Sequence, residues 1–270
     1  MTLRPAGPLL LVGAGKMGGA LLEGWLRQGL EPAQIFISDP APPADVVALL
    51  ARHRIDGSRL PPRPSTIVIA VKPQLVDETL KALAVLIGKS TVVLSIAAGR
   101  TLASLAKHLP KRAAIVRAMP NTAAAVGRSM TVACANPAVT RDQALECTEL
   151  LEAVGEVMWL ENEGLMDAVT AVSGSGPAYV FLLAECLAEA GREAGLDAEL
   201  AGQLARATVA GAGELLRSSD LTPAELRERV TSPKGTTAAA LEVLMGEGGF
   251  EELLIRAVAA AAKRSRELSS

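Results

Sequence analysis

Short unbroken apolar runs alternate with segments of helical period over the first 160 residues, and beyond that point only the helical period continues. The runs at 9–12, 34–38, 66–71, 91–95, 113–117, 130–134 and 157–160 read as strands, that at 66–71 as one buried on both faces. Between them, helical patterns follow Gly15 and cover 46–53, 76–87 and 143–154, while 57–64 is a Pro/Arg-rich loop. Strands alternating with helices imply an α/β, doubly wound, mostly parallel sheet. Asn162 reads as the N-cap of the next helix, which is interrupted at 173–177 and restarts with Pro177 at its first position. Leu204, Thr208, Ala212 and Leu216 share one stripe, and Phe250, Leu253, Leu254, Ala257, Val258, Ala261 and Ala262 share another. Glu251 and Glu252 open that last helix and Lys263, Arg264 and Arg266 close it, as the macrodipole favours. The expected division is therefore an α/β domain at 1–161 and an all-α domain at 162–270.

Composition sharpens this picture. Half of the 270 residues are apolar but only 2% are aromatic, so the core is built from Ala, Leu and Val. Small residues on several helix faces leave apolar surface for a second copy, which predicts a homo-oligomer. A net charge of −2 with no basic block argues against nucleic-acid or anionic-membrane partners. Cys134, Cys147 and Cys186 are odd in number and show no C-x-x-C spacing, so reduced, buried thiols and a cytoplasmic location are expected. The N-terminus lacks a signal-peptide pattern, and the 9–12 run is too short to cross a bilayer.

The candidate chemistry begins in Val12-Gly13-Ala14-Gly15-Lys16-Met17-Gly18. Strand, tight turn and helix in succession are the setting in which G-x-G-x-x-G binds a dinucleotide. Gly13 permits the turn, Gly15 lets backbone approach a pyrophosphate, and Gly18 lets helix pack on strand. The bland alternative is a glycine-rich turn of an ordinary α/β unit. Asp39 follows Gly18 by about the 20 residues at which an acid meets the adenosine ribose. A carboxylate there repels a 2′-phosphate, leaning the cofactor, NAD(P)H, towards NADH; otherwise Asp39 starts a turn before Pro40. Ala70, Val71, Lys72 and Pro73 follow a strand end and should border the cofactor, with Lys72 an acid, a phosphate contact or a solvated lysine. Ala97 and Ala98 form a small turn suited to a flat ring, or a tight connection only. No metal is expected.

Residues 231–237, Thr-Ser-Pro-Lys-Gly-Thr-Thr, precede a helix at 238–245. Backbone N–H groups and hydroxyls at a helix start would hold a carboxylate, although such residues also serve as simple caps.

The chain closely resembles the pyrroline-5-carboxylate reductases. The resemblance is carried by Val12-Gly13-Ala14-Gly15-Lys16-Met17, Ala70-Val71-Lys72-Pro73-Gln74, Ser95-Ile96-Ala97-Ala98-Gly99 and Arg117-Ala118-Met119-Pro120-Asn121-Thr122. Further along it is carried by Asp167-Ala168-Val169-Thr170, Ser173-Gly174-Ser175-Gly176-Pro177-Ala178-Tyr179, Val230-Thr231-Ser232-Pro233 and Gly248-Gly249-Phe250. It implies an N-terminal Rossmann-type domain and a helical domain that dimerises and completes the active site across the interface, often in rings of dimers, commonly decamers. The implied reaction is hydride transfer to Δ1-pyrroline-5-carboxylate, giving L-proline. It places Thr237 on the imine nitrogen, Ser232 and the Gly235, Thr236 and Thr237 backbone on the carboxylate, and Glu163 at the pocket edge. Two departures stand out. Lys234 replaces a glycine of the family's Ser-Pro-Gly-Gly loop, and Asp39 stands where NADPH-using relatives often carry a small neutral residue. Independently of family, reducing a protonated imine consumes positive charge, so a hydroxyl and good positioning suffice where a ketone would need a positioned acid. His53 and His108, on helical segments away from strand ends, are poor catalytic candidates. The competing readings are a 3-hydroxyacid dehydrogenase using Lys72 or Lys234 as acid, and a non-catalytic dinucleotide sensor.

Overall fold

Leu9–Val12 form β1, and every one of its side chains is 5% exposed or less, because strands cover it on both edges and helices on both faces. The computed structural model describes Leu3 and residues 5–57 and 59–269; Ser58, within the 57–64 loop, lies outside the described residues. Six further strands, β2 (Ile35–Ser38), β3 (Thr66–Ile69), β4 (Val92–Ser95), β5 (Ala114–Met119), β6 (Ser129–Ala135) and β7 (Gly155–Trp159), complete one sheet in the order β2-β1-β3-β4-β5-β6-β7. All pairings are parallel except β5 with β6. The 120–128 connection, holding one 3₁₀ turn, is shorter than the dozen or so residues a parallel return requires, so β6 must run back beside β5.

Helices α1 (Lys16–Arg27), α2 (Ala44–His53) and α5 (Arg141–Glu152) bury Leu21, Leu22, Trp25, Val46, Leu150 and Leu151 against one face. Trp25 is fully buried and donates its indole N–H to the Leu150 carbonyl at 2.8 Å, tying α1 to α5. Helices α3 (Val76–Leu83) and α4 (Leu102–Ala106) cover the other face through Val76, Leu80 and Leu105. The helix expected at 76–87 ends in a 3₁₀ turn after Leu83, and α4 is an element that periodicity alone does not mark, being one turn long. The strand expected at 66–71 stops at Ile69, which releases residues 70–73 into a loop.

The expected interruption at 173–177 is a wide turn within continuing helix. A 3₁₀ turn (Glu163–Leu165), capped by the Asn162 side chain, runs into α6 (Met166–Val169), a π-helical turn (Thr170–Gly174) and α7 (Gly176–Glu193). Pro177 is the second residue of α7, where its missing N–H costs nothing. Then come α8 (Ala198–Ser218), α9 (Pro223–Arg229), α10 (Thr236–Leu244) and α11 (Phe250–Ser269).

Contacts divide the chain into one unit of residues 1–174 with 262–270 and a second of residues 175–261. Residues past the last strand stay with the first unit because Met166 is buried with Val132 and Cys134, and because Ser265 Oγ donates to Asp167 Oδ1 at 2.6 Å. In the second unit Gly191 of α7 lies so close to α8 that a Cβ would stand 3.3 Å from that of Ala201. Val180, Phe181, Leu182, Leu204, Leu215 and Leu216 remain exposed on these two helices. An apolar surface of that extent is characteristic of an interaction face. The run from Glu163 to Glu193 is also long and apolar enough, by length and composition, to cross a bilayer. Cys134 and Cys147 are buried as expected, whereas Cys186, on α7, is exposed.

Candidate active site

The register Val12↔Ile69 brings the chain leaving β1 beside the chain leaving β3. Gly13 has φ +90°, and a Cβ there would lie 2.8 Å from the Ala70 carbonyl carbon and oxygen. Only glycine satisfies both the left-handed backbone and that approach. Gly18 is equally constrained, with a would-be Cβ 2.2 Å from the Gly13 oxygen, so α1 presses on the turn. Gly15 differs: nothing lies within 4 Å of its Cβ position. Gly15 is also the N-cap of α1, with no side-chain cap and no acid in the first turn. The turn thus presents unmasked N–H groups and the positive end of a helix dipole to open space, a fit for a pyrophosphate.

The surrounding residues converge on this crevice, where strand order reverses between β1 and β3. Asp39, just past β2, accepts from Ala14 N at 2.6 Å through Oδ2 and from Ala41 N at 2.9 Å through Oδ1. It therefore makes the turn considered for it and also sits against the glycine loop. Val12 and Ala14 are buried, Met17 is half-buried, and Lys16 and Lys72 are exposed. Ala70, Val71 and Pro73 are half-buried in the loop after β3. Beyond β4, Ala97 is buried and Ala98 exposed. Beside the loop, α1 and α2 bound a cleft of about 590 Å³ that includes Gly15, Lys16, Asp45 and Arg52.

Glu163 has partners that sequence reasoning does not supply. Its Oε1 accepts from Arg117 Nη1 at 2.8 Å and from Leu102 N at 2.8 Å. Arg117 interrupts an otherwise apolar β5 and its side chain is 6% exposed. A buried cation requires a compensating anion, so the lone arginine in an apolar strand was the available signal. Opposite Arg117, the Cys134 thiol is pushed up to about 11 by burial, then by the Glu163 carboxylate, with Arg117 opposing. A second cluster joins Arg100, Asp77 and His108: Asp77 Oδ1 takes both Arg100 and, at 3.1 Å, His108 Nε2. His108 thus reaches Asp77 in the first turn of α3.

In the helical unit, Ser232 to Gly235 form a tight turn closed by Gly235 N on the Ser232 carbonyl at 3.0 Å. Lys234 occupies the position where such a turn asks for glycine, at φ +58°. Its side chain is exposed and pairs with no carboxylate among the described residues. Gly235 then N-caps α10 without a side-chain bond, leaving Thr236 and Thr237 in the first turn. By contrast, α5, α8 and α9 are each capped by their own side chains from Thr140, Asp197 and Thr222. Like α1, α2, α3 and α7, α10 has no side-chain cap, so its first N–H groups are free to meet an anion.

A doubly wound sheet with this glycine turn at its switch point defines a nicotinamide-dinucleotide-dependent oxidoreductase carrying an appended helical unit. Residues 163–268 match the family described as pyrroline-5-carboxylate reductase dimerisation, and residues 9–99 match NADP oxidoreductase coenzyme F420-dependent. The chain is 40% identical to pyrroline-5-carboxylate reductase from Pseudomonas aeruginosa, across 97% of this chain and 96% of that protein. It is also 40% identical to the Synechocystis enzyme of the same name, across 96% and 97% of the two chains. The solved structure of a pyrroline-5-carboxylate reductase from Coxiella burnetii superposes with a TM-score of 0.91 at 33% identity, covering 98% and 99% of the two chains. A Plasmodium falciparum pyrroline carboxylate reductase with NADP bound gives 0.80 at 29% identity, covering 99% and 100%. The chain belongs to the pyrroline-5-carboxylate reductase family.

Three substitutions test the backbone arguments. Gly15→Ala should leave the melting temperature unchanged yet weaken dinucleotide binding about tenfold or more by filling the pyrophosphate approach, whereas Gly13→Ala should destabilise the fold, by about 1–2 kcal/mol from backbone handedness alone. Equal melting losses in the two variants would show that Gly15 is only structural. Lys234→Gly should raise the urea midpoint, since relief of left-handed strain, about 1–2 kcal/mol, exceeds the added chain entropy of about 0.5–1 kcal/mol. An unchanged or lower midpoint would mean the turn carries no strain.

Proposed function

We propose that the chain reduces Δ1-pyrroline-5-carboxylate to L-proline, taking hydride from a reduced nicotinamide held at the glycine turn. The observation that carries this is the pairing, in a chain 40% identical to named reductases, of an intact dinucleotide turn with an uncapped α10. Bound there, the nicotinamide supplies a hydride to the imine carbon. The protein's part is to bind, orient and exclude water.

The α10 N–H groups and Ser232 receive the substrate carboxylate, and the Thr237 hydroxyl accepts a hydrogen bond from the protonated imine nitrogen. Because the reaction neutralises an iminium, no oxyanion forms and no strong acid is required at that atom. The Ser232, Thr236 and Thr237 hydroxyls have no hydrogen-bond partner among the described residues, so they are available for such contacts. Glu163 stands at the edge of that pocket in this reading, with its Oε1 accepting from Arg117 and Leu102.

NADH is the preferred donor in this reading, because the Asp39 carboxylate accepts from ribose hydroxyls and repels a 2′-phosphate. The chain acts as a homodimer built through the helical unit, assembled further into rings of dimers, commonly decamers. It works in the cytoplasm, without nucleic-acid or membrane partners.

Mixing the protein with NADH and pyrroline-5-carboxylate and following NADH absorbance tests the activity; no oxidation above background would leave a dinucleotide-binding sensor. Loss of proline formation in alanine variants of Lys72 or Lys234 would favour the lysine-acid dehydrogenase reading instead. Thr237→Ala should lower kcat about 10- to 100-fold, the value of one hydrogen bond to a charged group, with NADH affinity nearly intact. Parallel loss of both would make the loop structural only. Asp39→Ser should move the NADPH/NADH ratio of kcat/KM upward about tenfold, as removal of a like charge of ~1–4 kcal/mol predicts. An unmoved ratio would exclude a ribose contact.

A further inference from the structure

The connection from β4 to α4 is fastened at both ends. At its start Ile96 N donates to the Ile69 carbonyl at 3.0 Å, continuing the sheet. At its far end Leu102 N donates to Glu163 Oε1 at 2.8 Å, and the same oxygen takes Arg117 Nη1 at 2.8 Å. One carboxylate oxygen therefore joins the first residue of α4, the middle of the sheet and the start of the helical run at 163. Between the two fastenings lie Ala97, Ala98 and Gly99, the last at φ +70°. Arg117 stands beside Ser95, the last residue of β4, and opposite Cys134 of β6, so its backbone is set by the sheet while its side chain is 6% exposed. Glu163 is thus paired with a buried cation, and the end of the turn is held to Glu163 through Leu102.

We infer that Glu163 is a positioning residue, which with Arg117 clamps the Ala97 and Ala98 turn and so sets the placement of the nicotinamide ring for hydride transfer. The inference rests on the proposed function together with the sequence-based expectation that the Ala97 and Ala98 turn faces the flat nicotinamide ring. Its signature follows from the geometry. Glu163 acts on the turn and not on the carboxylate of the substrate, so its loss lowers kcat and spares KM. A glutamine keeps an oxygen able to accept from Leu102 but surrenders the charge that compensates Arg117, so it should fall between wild type and alanine.

The test compares wild type, Glu163→Gln and Glu163→Ala by steady-state kinetics, NADH titration and hydrogen exchange of residues 96–102. The expected result is a kcat about tenfold lower in Glu163→Gln and about 100-fold lower in Glu163→Ala, the scale of a misplacement near 1 Å, with KM for pyrroline-5-carboxylate and Kd for NADH within about threefold. Deuterium at the transferred position should slow the variants more than wild type, because the hydride step becomes limiting. Leu102 should lose exchange protection in Glu163→Ala while the β1 and β3 amides keep theirs, which separates a loosened turn from general unfolding. An unchanged kcat, or a KM rise with kcat intact, overturns the inference, the latter by returning Glu163 to the substrate pocket. Retained Leu102 protection overturns it as well. Failure of the reductase reading shows separately, as a wild-type protein that does not oxidise NADH but whose exchange pattern still depends on Glu163.

Discussion

The close approach of Gly13 to the backbone leaving β3 is the contact on which the rest of the first unit depends. With no Cβ, and with φ at +90°, Gly13 lets the chain turn away from β1 while touching Ala70 and Val71. That turn seats α1 directly above, where Gly18 again has no room for a side chain. Once α1 is seated, its face places Trp25 against α5 and fixes the Leu150 carbonyl. The same turn points Ala14 N at Asp39 and leaves Gly15 facing open space. Packing and binding surface come from one backbone geometry, so a methyl at Gly13 would disturb both and a methyl at Gly15 only the second.

The two helix starts assigned to ligands share a physical design. Both α1 and α10 begin at glycine without a side-chain cap, where α5, α8 and α9 satisfy their first N–H groups with their own Thr or Asp. A capped helix start is stable by itself; an uncapped one retains a deficit that a phosphate or carboxylate can fill. At α10 a second cost is added, since Lys234 holds a left-handed conformation that a glycine would hold without strain. Strain of this kind persists where the neighbouring turn over-determines the backbone, here through the Gly235 N–H to Ser232 carbonyl bond.

Most of the α/β half was legible because the central strands, buried on both faces, leave unbroken apolar runs, and because the glycine turn has a fixed spacing. What was not legible depended on length and partners rather than on pattern. The reversal of β6 is written only in the shortness of the 120–128 connection, and α4 is too short for a period to show. The Ser-Gly-Ser-Gly-Pro stretch looks like a break, yet a π turn absorbs it, with Gly174 closely packed on Met119. Arg117 announced that it needed an anion but not which one. Glu163 is far away in sequence, and as an acid in the first turn after the Asn162 cap it suits the helix dipole without any distant partner. Of the site itself, the glycines, Asp39 and the α10 loop were visible one by one, while the Arg100–Asp77–His108 cluster was not, since only the fold brings α3 and the end of α4 together.

The chemistry explains why placement carries so much weight here. Of the two histidines, His108 is engaged by Asp77 and His53 lies at the end of α2. Lys72 and Lys234 are exposed, where an ammonium is well solvated and exerts little directed force. For a carbonyl this would leave the developing negative charge without a proton source. For an iminium the charge disappears as hydride arrives, so the remaining barrier is that of bringing donor and acceptor carbons into line. In the proposed reaction, which needs no strong acid, the rate depends on rigid walls. A tight glycine turn, a short loop fastened at both ends and a helix start with open N–H groups are the means of rigidity this chain contains.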